Sequence, residues 1–308
     1  MESIATVASV KNCFATNNPS GILARMDSLS LEGVRAAVQQ ALAEDLRSGD
    51  ATTNAIISEA AGASAMMIAR QPLTLAGLAF AEAAFKELAS EVMVDRFALD
   101  GQRLETNGRL MRVAGPARAL LSAERVALNF VQRLSGIATL TARFVEAIQG
   151  TQATILDTRK TTPGWRRFEK YAVACGGGRN HRLGLDDLLL IKDNHLHALR
   201  DARPNAISAA IRLARLKRPD LRVEVEADTR EQVAQAVEAG ADIILLDNMS
   251  LADLRASVQL VAGRAKTEAS GGIQLSNVRF VAETGVDYIS VGALTHSAPA
   301  VDIALDFE

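Results

Sequence analysis

The sequence predicts an α/β chain in two parts: an N-terminal α+β sandwich domain, then an incomplete, TIM-like α/β barrel. Three observations carry that expectation. Apolar runs of strand length recur through the second half at 153–157, 188–192, 222–226, 242–247, 266–270 and 287–291. Amphipathic stretches at 206–217, 229–240, 251–263 and 276–285 lie between them, and strand–helix alternation at this spacing predicts parallel βα units. Six such units without a GxGxxG turn favour a barrel over an open doubly wound sheet.

In chain order, residues 1–26 are polar and lack the basic start and apolar segment of a secretory signal. They are expected to form an arm that packs on a partner subunit. Residues 27–134 are assigned to the first domain. There 31–46 is an amphipathic helix followed by a turn at Ser48-Gly49-Asp50, short strands fall at 64–70, 92–99 and 109–114, and a helix lies near 77–89. Residues 119–149 read as long helical sequence, interrupted around Ser135-Gly136, where the barrel domain 135–297 begins. The final DIALDFE, within 298–308, is expected to return to the first domain.

Composition narrows the function classes. With 308 residues, 48% of them hydrophobic, the chain can bury a large core. A net charge of -2 leaves no global cationic excess for nucleic acid. No run approaches the roughly 18 apolar residues of a membrane helix. Cys13 and Cys175 form no CxxC pair, which argues against a disulfide framework or a zinc site and suits a reducing cytoplasm.

The cations are local. Between Asp157 and His195 stand eight of them, Arg159, Lys160, Arg166, Arg167, Lys170, Arg179, Arg182 and Lys192, against five acids and beside His181. They sit among glycines and between strand-like runs, as a pocket for a highly anionic small molecule requires. The triple glycine 176–178 before Arg179-Asn180-His181-Arg182 is either a flexible loop or one that closes over an anion. Trp165 and Tyr171 are expected to pack in the core or at an interface, and His195, His197 and His296 to be structural.

Barrel enzymes place their chemistry at the C-terminal ends of the strands. Here those ends carry Asp157-Thr158-Arg159-Lys160, Lys192-Asp193-Asn194, Glu226, Asp247-Asn248, Ser270-Gly271-Gly272 and Gly292. One such residue is most simply a solvent contact or a helix cap; six in a row point to a site. Glu226 and Asp247 suit either Mg²⁺ held partly through substrate oxygens or stabilisation of developing positive charge, and either acid can also pair with Lys160 or Lys192. Ser270-Gly271-Gly272 and Gly292 allow backbone N–H groups to approach a phosphate.

Taken together, these blocks resemble quinolinate phosphoribosyltransferases. The resemblance covers about 31–308 and rests on EDLRSGDATT (44–53), SAERVALNFVQRLSGIAT (122–139), DTRKTTPG (157–164), EKYAVACGGGRNHRLGL (169–185), LIKDNH (190–195), VEVE (223–226), LLDNM (245–249), SGG (270–272) and GVDYISVGALTHS (285–297). It implies conversion of quinolinate and phosphoribosyl pyrophosphate to nicotinate mononucleotide, pyrophosphate and CO₂ with Mg²⁺, in NAD biosynthesis, by homodimers or assemblies of dimers. Matching positions imply that quinolinate meets Arg125, Arg159, His181, Arg182 and Lys192. The phosphoribosyl donor would meet Lys160, Glu226, Asp247, Ser270, Gly271, Gly272 and Gly292, with Lys160, Glu226 and Asp247 catalytic and the two acids holding the metal. Arg125 is implied to reach the neighbouring subunit's site.

Two positions depart from the family pattern: Trp165 stands where leucine is usual, and Arg47 replaces a common glycine. Three rivals are weighed. A sister group linked to molybdate-transport genes is disfavoured by the full arginine and histidine set, and a non-catalytic phosphoribosyl-ligand sensor by Lys160, Glu226 and Asp247 together. A nicotinate-specific transferase is disfavoured by so many carboxylate-binding cations.

Overall fold

The computed structural model describes residues 29–308, so the arm expected over 1–26 lies outside the described residues. Helix Leu31–Leu46 starts where the Ser30 hydroxyl accepts the Gly33 N–H at 3.1 Å. Strands Gly62–Ala69, Arg109–Pro116 and Met93–Arg96 form an antiparallel sheet. The C-terminal strand Ile303–Phe307 completes it, pairing with Gly62–Ala69 from Ala65 opposite Phe307 to Ala69 opposite Ile303. Ion pairs Arg70–Asp306 (2.6 Å) and Arg112–Glu308 (2.9 Å) line this seam. Helices Leu31–Leu46, Leu78–Leu88 and Ala117–Ala147 pack on one another beside the sheet and bury Val34, Val38, Phe80, Phe85, Leu120 and Val131.

One sequence expectation needs correction. Ala117–Ala147 is a single helix of 31 residues with no break at Ser135-Gly136. Those residues are small because other backbone approaches the helix there. A Cβ on Gly136 would lie 2.0 Å from the Pro299 carbonyl oxygen, where the C-terminal segment crosses. The Ser135 hydroxyl is bound by Ala76, accepting its N–H at 2.9 Å and donating to its carbonyl at 3.1 Å. Residues 134 and 135 therefore lie in one helix shared by both halves of the molecule.

The second half is a sheet of six parallel strands. Their order is Thr154–Leu156, Tyr288–Ser290, Lys266–Ser270, Ile243–Asp247, Val223–Ala227, Leu189–Ile191. Helices Ala206–Lys217, Arg230–Glu238, Leu251–Val261 and Val278–Ala282 connect them, with Asn205, Thr229 and Ser250 capping the first three. Among the described residues no ladder joins the two edge strands, so the barrel is incomplete. The free edge of Thr154–Leu156 is covered instead. Arg179 donates its N–H to Ile155 at 2.9 Å and accepts that of Asp157 at 3.1 Å.

An aromatic column ties the halves together. Phe80 stacks on Phe130 (4.8 Å) and Phe130 on Trp165 (4.9 Å), with Phe168 edge-on to both Phe80 and Trp165. Trp165 is thus a packing residue, as is Tyr171, whose hydroxyl donates to Asp100 at 2.8 Å. Among the described residues no helix is long and apolar enough to cross a membrane.

Candidate active site

The loop after strand Thr154–Leu156 carries Arg159 and Lys160 and is braced from below. Buried Glu169 accepts the Thr162 N–H (3.0 Å) and hydroxyl (2.8 Å) and pairs with Arg133 at 3.1 Å. Arg133 also donates to the Thr295 and Ala298 carbonyls at 2.6 Å each. The Thr295 hydroxyl donates to the Lys160 carbonyl at 2.7 Å. A Cβ on Gly292 would come within 3.1 Å of Lys160 Cδ, so the lysine stem crosses this glycine.

At the neighbouring strand ends the acids gather. Glu226, Asp228 and Asp247 each place a carboxylate oxygen within 4.8 Å of the others. Lys192 Nζ lies 3.0 Å from Glu226, and Asn248 Nδ2 donates to Asp247 at 2.7 Å. Asn248 also donates its backbone N–H to Ser270 at 2.9 Å. Gly271 must be glycine: φ is +92°, and a Cβ would sit 2.1 Å from Asn248 Oδ1. Ser270, Gly271 and Asn277 join Met249, Leu254 and Ile273 in lining a largely apolar cavity of about 320 Å³.

His181 is positioned through its backbone. Asp157, fully buried, accepts the His181 N–H at 2.9 Å and an Asn180 amide hydrogen at 2.6 Å, and pairs with buried Lys170. Lys170 also donates to the His181 carbonyl at 3.0 Å. Asp157 therefore serves the frame, not the mouth.

The His181 ring faces two acids. Its Nε2 stands 3.1 Å from Glu224 and 3.5 Å from Glu268, while Nδ1 accepts the Arg182 N–H at 2.7 Å. Burial opposes a charged imidazole, but Glu268 and Glu224 outweigh it and push the ring up to about 9. Burial and the Glu224 charge push Glu268 up to about 8, against the pull of His181. The Arg182 N–H occupies the site where a second imidazole proton would go. With that lone pair filled, His181 and Glu268 share the extra proton of the cluster and titrate together.

Arg182 is half-buried and donates to the Leu188 carbonyl at 3.3 Å. Burial and the Arg159 guanidinium lower its pKa, while Glu224 works in the other direction. Arg159 Nε is buried without a hydrogen-bond partner. Two guanidiniums that repel each other, one with an idle donor, are prepared for an anion. Arg125 is exposed on the long helix and, among the described residues, has no hydrogen bond or ion pair.

The N-terminal domain model of quinolinate phosphoribosyl transferases matches residues 50–135, and the C-terminal domain model matches 137–306. This chain belongs to the quinolinate phosphoribosyltransferase family. It is 42% identical over 290 residues to the carboxylating nicotinate-nucleotide pyrophosphorylase of Mycobacterium leprae, covering 91% of this chain and 99% of that one. It is 43% identical to the probable carboxylating nicotinate-nucleotide pyrophosphorylase of Bacillus subtilis, covering 85% and 89%. The solved nicotinate-nucleotide pyrophosphorylase of Francisella tularensis superposes with a TM-score of 0.87 at 37% identity, covering 93% of this chain and all of that one.

Within this chain the expected site residues fall into three connected sets. Lys160 meets Gly292; Lys192, Glu226 and Asp247 lie around Asp228, next to Ser270 and Gly271. His181, Arg182 and Arg159 form the third, and Arg125 makes no hydrogen bond or ion pair with any of them among the described residues. Sequence reasoning missed Asp228, Glu224 and Glu268. The last two lie in strands that the sequence predicts, Glu224 two residues before Glu226 in VEVEA and Glu268 as the single acid of KTEAS.

Proposed function

We infer that this enzyme transfers the phosphoribosyl group of phosphoribosyl pyrophosphate to quinolinate, giving nicotinate mononucleotide, pyrophosphate and CO₂ for NAD biosynthesis. The observation that carries the reading is the close placement of two opposite charge sets at one barrel mouth. Arg182 and His181, with Arg159 beside Arg182, gather around Glu224, and the carboxylates of Glu226, Asp228 and Asp247 gather at the end of that same strand Val223–Ala227.

Quinolinate is a dianion. Arg159 and Arg182 offer paired N–H donors for its carboxylates, with His181 and Lys192 beside them. Lys160, Ser270, Gly271, Gly272 and Gly292 take the phosphate groups of the phosphoribosyl donor. The pyridine nitrogen attacks C1 of the ribose as pyrophosphate departs. Carboxylates of Glu226 and Asp247 stabilise the oxocarbenium character that develops there. The ring nitrogen is then quaternary, negative charge left at C2 by CO₂ loss is stabilised by that nitrogen and the neighbouring cations, and C2 takes up a proton from solvent to give nicotinate mononucleotide. No covalent enzyme intermediate is needed.

Mg²⁺ is part of the proposal. Glu226, Asp228 and Asp247 supply three clustered oxygen donors, the hard-ligand chemistry this ion prefers. When bound, the ion neutralises charge on the pyrophosphate. The chain is further proposed to act in the cytoplasm as a homodimer, with Arg125 reaching the partner's quinolinate site.

The charge count predicts selectivity. Nicotinate lacks one carboxylate and leaves part of the Arg159, His181, Arg182 and Lys192 group desolvated and unpaired. The expected discrimination in kcat/KM is on the order of 10³-fold or more in favour of quinolinate. Comparable values for the two acids, measured in parallel steady-state assays, would defeat this assignment of the pocket.

A further inference from the structure

Two side chains beneath the site have no part in the reaction as described above. Glu224 and Glu268 are 0% and 1% exposed, and neither carboxylate has a hydrogen bond of normal geometry. Such groups are costly: a buried carboxylate without partners destabilises a fold, and an apolar or amide side chain of similar size would be tolerated better. Their shared neighbour is His181, and the three place a nitrogen and two oxygens within 4.8 Å of one another.

Strand geometry explains how the acids reach that position. Residues two apart on a strand share a face. Glu224 therefore points to the same side as Glu226, and Glu268 to the same side as Ser270, each one step deeper than the mouth residue. Both come from beneath the site to the one edge of the imidazole that the backbone leaves free. The opposite edge is fixed, because the Arg182 N–H fills the Nδ1 lone pair.

We propose that Glu224 and Glu268 are positioning residues for quinolinate binding, holding His181 as the Nε2–H tautomer so that the ring offers a donor, not a lone pair, to the anionic ligand. The inference rests on the assignment of His181 to quinolinate. An imidazole with a bare Nε2 would repel a carboxylate, whereas the N–H form can pass its hydrogen from the poorly aligned glutamates to the substrate.

Two other roles compete. A structural role would use the acids to hold strands together; Ser290 on the adjacent strand bears on Glu268, whereas Glu224 faces only the His181 ring. A first-row metal could take one histidine nitrogen and two carboxylate oxygens, at the expense of His181 as a substrate contact.

The test uses Glu224→Gln, Glu268→Gln, the double variant and His181→Gln, each as the intact protein. Either acid can carry the negative charge, so the double variant decides. Its quinolinate KM should rise about tenfold or more, with phosphoribosyl pyrophosphate KM within about twofold and the larger effect on KM than on kcat. The thermal midpoint should stay level or rise, since two orphaned carboxylates have gone. Adding both changes to His181→Gln should weaken quinolinate no further.

Ring ¹⁵N shifts give a direct view. The chain has four histidines, and His181→Gln identifies the relevant one. In the wild type its Nε2 should be protonated and Nδ1 bare; in the double variant the two forms should mix. Unchanged or tighter quinolinate binding in the double variant would overturn the inference, as would a lowered midpoint with normal binding. So would one equivalent of a transition metal retained by the wild type and lost from the double variant. If His181→Gln itself binds quinolinate normally, the assignment of His181 falls and the inference with it. A weakened His181→Gln beside an unaffected double variant defeats the inference alone.

Discussion

At the scale of single residues, the buried His181–Glu224–Glu268 cluster ties stability to pH. The ordinary values for histidine and glutamate are 6.5 and 4.5, whereas the folded cluster holds protons up to about 9 and about 8. Above pH 6.5 the folded state thus binds more protons than the unfolded one, so stability must fall as pH rises towards 9. The sign is the same whether His181 or Glu268 carries the proton. The thermal midpoint should drop by on the order of 5 °C between pH 6.5 and 9, and by clearly less in Glu268→Gln. A flat profile in the wild type would show that the cluster titrates at ordinary values. These acids were hard to find in the sequence because VEVE presents two glutamates of the same parity. Period alone puts them on one face without saying which is at the mouth and which is buried. Asp228 was missed for another reason: it lies one residue past its strand, where acids are ordinary surface residues.

At the scale of elements, the strand–helix rhythm was legible because each barrel strand is an apolar run bounded by polar residues. The six strands Thr154–Leu156, Leu189–Ile191, Val223–Ala227, Ile243–Asp247, Lys266–Ser270 and Tyr288–Ser290 all fall within one residue of their expected spans. Helix Ala117–Ala147 was not legible through Ser135-Gly136, where local propensity speaks for a break. The glycine there answers to a tertiary contact that no local signal contains. Helix propensity alone predicts that Gly136→Ala stabilises the chain by about 1 kcal/mol. The structure predicts the opposite. The added methyl meets the Pro299 carbonyl, a backbone atom that cannot swing aside, and should cost about 1–3 kcal/mol. Chemical denaturation of the purified variant distinguishes the two signs. Because the same crossing leads into the seam with Gly62–Ala69, the loss should be global and not confined to the C-terminal strand.

At the scale of the whole molecule, the site residues on the barrel come from strand ends and, for His181 and Arg182, from the loop after helix Arg166–Cys175, while Arg125 sits exposed on a helix that both halves share. If two copies exchange Arg125 around a two-fold axis, inactive Arg125→Ala and inactive Lys160→Ala subunits should rescue each other. In a mixed dimer one site receives both lesions and the other neither. With random exchange about half of dimers are mixed, so recovery should approach roughly a quarter of wild-type activity per subunit. Background activity after demonstrated subunit exchange would leave Arg125 acting within its own chain or only structurally. An exchange of this kind is not legible in periodicity, which describes one chain at a time. The charge logic of the mouth could, because cations and acids recur at successive strand ends. The most direct measurement of that logic is the yield of CO₂ and nicotinate mononucleotide from quinolinate, phosphoribosyl pyrophosphate and Mg²⁺. Wild-type protein should form the two in equal amounts. Glu226→Gln and Asp247→Asn should each turn over at least about 10²-fold more slowly while still binding quinolinate, because the lost interaction belongs mainly to the transition state. No product from the folded wild type, or near-normal turnover in both variants, would contradict the account.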